Sequence, residues 1–155
     1  MKTKNSLCKF VLLVFFCLLI FLSGCSLQDV YTEENCTNVF IPCVNASSVN
    51  HKVKVLNGGS SLKIGGRREE SLGDSNYLDK NAQILKASRN DVVTLEFINK
   101  TPLSLKVYDR NNMNKEIIVD NFSFNLPNEV GIYVFNIAAE YSNGGVFHYL
   151  KVKVE

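Results

Sequence analysis

From Tyr133 onward the chain is written with a period of two. Tyr133, Phe135, Ile137, Ala139 and Tyr141 occupy alternate positions, and after Asn143-Gly144 the period resumes with Val146, His148, Leu150, Val152 and Val154. Successive side chains of a strand point to opposite faces, so this spacing predicts two long strands that each bury one face. Asn-Gly is a pair that accepts positive φ, which a tight hairpin requires, and the two strands are expected to pair antiparallel across it.

Upstream segments carry the same signal in shorter form. Val53 and Val55 alternate with Lys52 and Lys54, Gly58-Gly59 reads as a turn, and Leu62 and Ile64 mark a second short strand. Further strands are expected at Gln83 to Lys86, Val92 to Ile98, Leu103 to Asp109 and Glu116 to Val119, with a short one at Phe122 and Phe124. Gly65 to Asn81 is rich in glycine and charge and reads as the longest loop of the domain. Long loops on rigid scaffolds are where binding concentrates, so Arg67, Arg68 and Tyr77 become candidate partner-binding residues. The plainer reading of Arg67-Arg68-Glu69-Glu70 is a solvated run whose adjacent opposite charges neutralise one another. Asp109 to Asn114 is acidic and asparagine-rich, but it lacks the glycine and terminal glutamate of an EF-hand and reads as a turn.

The run from Glu129 to Phe135 has the spacing of the tyrosine corner of immunoglobulin-like sandwiches, with Tyr133 as the tyrosine and Phe135 where antibody domains carry a cysteine. The wider stretch from Leu126 to Glu155, a proline, glycine-x-tyrosine, an alternating strand, a glycine turn and a lysine-valine ending, resembles the last two strands of small Gram-positive lipoproteins with an Ig-like domain. His148 stands where those sequences more often have tyrosine. The resemblance implies an all-β, immunoglobulin-like antiparallel β-sandwich of about seven strands without an inter-sheet disulfide. Ile132, Val134 and Ala138 lie opposite the Tyr133 face and make it apolar too, which calls for either a cover or a partner.

The N-terminus states an address. Lys2, Lys4 and Lys9 precede an unbroken apolar run from Phe10 to Leu22, the pattern of a signal peptide. As a helix the run would reach roughly 20 Å, short of the roughly 30 Å hydrocarbon core. Leu22-Ser23-Gly24-Cys25 closes it and resembles the lipobox of bacterial lipoproteins position by position. The resemblance implies cleavage between Gly24 and Cys25, diacylglyceryl transfer to the Cys25 thiol, and a place on the extracytoplasmic face of the cell membrane. Two acyl chains on one residue anchor stably where one is marginal. The expected organisation is a signal peptide over 1–24, a lipidated and flexible tether over 25–50, and the sandwich domain over 51–155.

The whole chain carries 17 basic and 15 acidic side chains, and three of the lysines leave with the signal peptide. The mature part is thus about neutral, which argues against nucleic acid as a partner. Cys36 and Cys43 are left as a pair that can form a short disulfide loop or stay as thiols, and no zinc-like ligand spacing surrounds them. The Asn-x-Ser/Thr sequons at Asn35, Asn45, Asn99 and Asn121 read as chance with a bacterial lipobox upstream. No serine sits in a glycine-flanked elbow, and the glycine pairs precede no lysine-serine phosphate loop. His148, a lone strand imidazole, reads as a packing or surface residue. No cofactor or metal is expected. The expected function is a non-catalytic binding or structural module at the cell envelope, held by its lipid and facing a protein or cell-wall partner. The alternative is an extracellular protease inhibitor using one protruding loop.

Overall fold

The computed structural model describes residues 30–38 and 40–155. The basic n-region, the apolar run and the Leu22–Cys25 tetrad lie outside the described residues. Among the described residues, no helix is long and apolar enough to cross a membrane.

The fold is mostly antiparallel β. In chain order the strands are β1 (Val44–Ser47), β2 (Lys52–Ile64), β3 (Arg67–Leu72), β4 (Ile84–Ala87), β5 (Val92–Phe97), β6 (Ser104–Asp109), β7 (Lys115–Ile117), β8 (Ser123–Asn125), β9 (Gly131–Tyr141) and β10 (Gly144–Val154), with one short helix, α1 (Ser75–Asn81), between β3 and β4. Hydrogen-bonded neighbours run β7-β6-β9-β10-β2-β1-β5-β8, with β3 added to β2 and β4 to β10. The path curls over on itself: Phe124 of β8 meets Phe135 of β9 edge to face, ring centroids 5.1 Å apart. One core joins both ends of the path, with Val44, Val55, Val93, Phe135, Ile137, Leu150 and Val152 all at most 2 % exposed. Each such side chain contributes on the order of 1.5–3 kcal/mol by leaving water.

The two long strands obey their predicted alternation. Phe135, Ile137, Ala139 and Tyr141 are buried along β9, as are Val146, His148, Leu150, Val152 and Val154 along β10, and the strands pair in register from Gly144 opposite Tyr141 to Val154 opposite Gly131. The turn itself differs from expectation. Its two residues are Ser142 and Asn143, and only Gly144 has positive φ, +132°. Gly144 opens β10 where a Cβ would stand 2.1 Å from the Ser61 carbonyl oxygen of β2, so close approach of two strands dictates glycine there.

Gly58-Gly59 is likewise no turn. β2 passes straight through it, pairing with β1 over its first residues and with β10 beyond Val55. Gly58 is the extra residue of a bulge, since Phe147 faces Gly59 while His148 faces Asn57. The bulge lies inside the stretch paired with β10, just past the last β1 pair at Val55.

The flexible tether expected over 25–50 does not extend that far. β1 lies between β2 and β5, with Val44, Asn45 and Ala46 fully buried. Ahead of it, the Asn45 side chain receives a hydrogen bond from Tyr31 N and donates one to Tyr31 O, both 2.9 Å. Cys36 and Cys43 are joined in a disulfide. Residues expected in the tether, from Tyr31 through β1, thus pack as part of the domain. The described residues form ten strands where about seven were expected, and β1 and β3 have no apolar alternation to reveal them.

Gly65 to Asn81 is not a loop either. After the Gly65-Gly66 turn, β3 pairs along β2 from Arg67 opposite Ile64 to Leu72 opposite Gly59. Asp74 then caps α1, its carboxylate accepting from Asn76 N at 2.8 Å and Tyr77 N at 3.4 Å. Leu78 is the one buried residue of the helix, and it fastens α1 over the bulge, its Cδ1 3.7 Å from where a Gly58 Cβ would stand.

Candidate functional site

Docking of α1 creates a cleft of about 420 Å³ between the helix, the outward faces of β9 and β10, and the 3₁₀ turn Arg110–Asn112 that follows β6. The turn is fixed from both sides. Asp109, 8 % exposed, accepts a hydrogen bond from Asn111 N at 2.9 Å. Asn111 in turn accepts from Val134 N at 2.9 Å and donates to Ile132 O at 3.2 Å. Its amide thus continues the ladder along β9 beyond the last β6 pair, Asp109 opposite Phe135.

On the floor of the cleft Tyr149 points away from the core yet is 3 % exposed. The Arg110 guanidinium lies over its ring, 5.7 Å from the centroid. Its hydroxyl donates to Asp79 Oδ1 at 3.1 Å, and Lys151 Nζ donates to the same oxygen at 2.8 Å. Lys151, with Tyr149 second, holds the Asp79 carboxyl below its ordinary value, while burial and the Asp79 bond push the Tyr149 phenol up. Ser75 and Asn76 complete the polar rim, and Val134 supplies the apolar wall.

Of the residues singled out in the sequence, Val134 borders the cleft and the others fall elsewhere. Arg67 and Arg68 lie on β3, where Arg68 Nε donates to Ser61 Oγ at 2.8 Å and pairs with Glu70 at 2.9 Å. Arg68 borders a separate hollow of about 530 Å³ beside the half-exposed Phe147, at the end of the molecule formed by the β2–β3 and β9–β10 hairpins. Tyr77 sits on α1 but is 60 % exposed and does not line the cleft. Ile132 remains 52 % exposed, Val134 and Ala138 are half-buried, and Val134 borders the cleft. The Tyr133 hydroxyl donates to the Glu129 carbonyl at 3.0 Å, four residues upstream. Gly24 and Cys25 lie outside the described residues.

Sequence reasoning missed Arg110, Asn111, Asp79, Tyr149 and Lys151. One signal was available: Tyr149 and Lys151 share the outward parity of β10, and a bulky aromatic beside a cation there asks for a cover, which Leu78 and Asp79 of α1 provide.

His148 is 2 % exposed, its Nε2 has no hydrogen-bond partner, and the Phe97 ring stands edge-on at 6.2 Å. Burial lowers its pKa to about 4, so the imidazole is neutral in the core at ordinary pH. Among the described residues no group of three His, Cys, Asp or Glu side chains is placed to hold a metal ion.

The class defined by these features is a mostly antiparallel β domain carrying a small polar cleft on one outer face. Comparison with protein-family models, with curated proteins and with solved structures finds no match to this chain.

Proposed function

We propose that the chain is an extracytoplasmic lipoprotein, anchored through lipid on Cys25, whose immunoglobulin-like domain acts as a non-catalytic binding module through the cleft under α1. The observation that carries the reading is the tetrad Leu22-Ser23-Gly24-Cys25 directly after the lysine-led apolar run. Three further features support it. β5 beside β8, and β6 beside β9 beside β10, reproduce in chain order the B–E and C–F–G neighbours of an immunoglobulin-like sandwich, with β1 next to β5 in the place of strand A. The Tyr133–Glu129 hydrogen bond is the contact that defines a tyrosine corner. The Cys36–Cys43 bridge suits an oxidising compartment.

The docking of Tyr31 gives the anchor a short reach. Between Cys25 and Tyr31 the chain spans about 20 Å at full extension, so the domain works at the membrane surface rather than far out from it. The partner of such a module is a membrane-proximal protein or wall component. The alternative, an extracellular protease inhibitor, would have to use a segment that lies in β3 and α1.

Expression in a Gram-positive host with labelled palmitate tests the anchor. Wild type is expected to carry label and to sediment with membranes, and Cys25→Ser to do neither; an unlabelled wild-type protein refutes the reading. Crosslinking on intact cells then tests the module: wild type is expected to capture a defined partner that Arg110→Ala loses.

A further inference from the structure

The larger hollow beside Phe147 holds an arginine already paired with Glu70, and the groove beside the Cys36–Cys43 loop has as its charged lining Glu69 and that same Glu70, both on the exposed β3. The cleft under α1 is different in one respect: it contains an arginine positioned over an aromatic ring and held in no salt bridge, with Asp79 of the same cleft feeling its charge. Among the described residues no carboxylate lies within salt-bridge distance of Arg110, and its guanidinium is held over Tyr149. The other cation, Lys151, is consumed by Asp79 at 2.8 Å. Lys151 thus takes up the Asp79 oxygen that Tyr149 shares, and the Arg110 fork stays outside that ion pair.

We propose that this cleft binds the C-terminal carboxylate of a peptide whose last residue has a small apolar side chain, with Arg110 as the residue that takes the carboxylate. A guanidinium has five donors and no acceptor, and its planar fork matches a carboxylate in a way an ammonium does not. Stacking on Tyr149 and the hydrogen bonds that Asp109 and Asn111 give the turn fix Arg110 before a ligand arrives, which lowers the ordering cost of binding. Val134 offers the apolar contact for the terminal side chain, and Ser75 and Asn76 offer polar partners for the amide behind it. A cleft of about 420 Å³ suits one or two residues.

The proposal rests on the binding-module reading and names its ligand, but the two fail separately, since the test below needs neither membrane anchoring nor a cellular partner. The sequence has only four arginines, Arg67, Arg68, Arg89 and Arg110. In the full-length chain, solubilised in detergent and labelled with ¹⁵N-arginine, the Nε–H signals of all four are followed while N-acetylalanine is added at constant ionic strength. Arg110, assigned from its loss in Arg110→Lys, is expected to shift saturably while the other three move little. N-acetylalaninamide, which lacks the carboxylate, is expected to give no shift. Followed on the backbone amides around the cleft, Arg110→Lys should weaken binding about tenfold or more, as loss of a charged hydrogen-bond pair does. Asp79→Asn should tighten it, a gain that a merely structural role for Asp79 would not produce. Equal linear shifts of all four signals, stronger binding of glucuronate or of inorganic phosphate than of N-acetylalanine, or an Arg110 response that survives amidation of the probe would each overturn the proposal.

Discussion

The buried His148 makes a quantitative demand on how this protein responds to acid. Its imidazole ordinarily titrates near 6.5, and burial in the folded state lowers that to about 4. As pH falls below 6.5 the unfolded chain takes up a proton at this position and the folded chain does not. Stability is therefore constant above about pH 7 and is lost progressively between pH 6.5 and 4. At about 1.4 kcal/mol for each pH unit in that interval, the loss amounts to about 3 kcal/mol, a large fraction of the 5–15 kcal/mol typical of a domain. Replacing His148 by leucine, of similar volume, removes the titration together with a buried nitrogen that has no partner. The variant is expected to be at least as stable as wild type at pH 7.5, since an unsatisfied buried polar group costs about 1–3 kcal/mol. Urea unfolding followed by circular dichroism between pH 7.5 and 4 measures both proteins. Carboxylates titrate in each, so the decisive quantity is the difference between the two curves, which should widen by about 3 kcal/mol toward low pH. Curves that run parallel would refute the reasoning, because His148 would then be exchanging its proton equally in both states.

Three more outcomes follow from local geometry. Gly73→Ala puts a Cβ 2.3 Å from the Gly58 carbonyl oxygen and should cost more than about 4 kcal/mol or abolish folding, whereas Gly65→Ala, with open space but φ of +56°, should cost about 1–2 kcal/mol; thermal melts of the pair separate backbone crowding from backbone strain. Tyr133→Phe deletes only the bond to the Glu129 carbonyl, and equilibrium unfolding should register a loss of about 1 kcal/mol. Reduction of the Cys36–Cys43 bridge, which closes a short loop over a sequence separation of 7, should cost about 2–3 kcal/mol, read as the shift in urea midpoint with and without reductant.

The legible and illegible parts of the chain differ for a physical reason. β9 and β10 bury one whole face each, so their period of two is written in full, and Phe135 and Leu150 could be named as core residues in advance. β1 is different: Asn45 is as buried as its apolar neighbours Val44 and Ala46 and is satisfied by Tyr31, a tertiary contact that no local pattern announces. Every residue of β3 is exposed, and the strand exists because the β2 backbone offers it partners. α1 is a single docked turn or two, with one apolar contact at Leu78 and no periodicity to detect. The candidate cleft inherits this opacity, since it assembles Arg110 from a turn, Asp79 from α1 and Tyr149 from β10. The polar segments that looked like tether and loop are the ones that bring them together.

β10 is the strand on which the rest converges. β10 pairs with β9 along its whole length, with β2 over Gly144 to Tyr149 and in parallel with β4 over Lys151 to Val154. A chain emerging in N-to-C order therefore holds β2, β4 and β9 with unpaired backbone edges until β10 arrives. Contacts of such sequence separation make folding slow relative to local structure. Emergence of β10, rather than growth of the N-terminal half, sets the moment at which this domain can close, and a truncation before Gly144 would leave three strand edges open to aggregation at once.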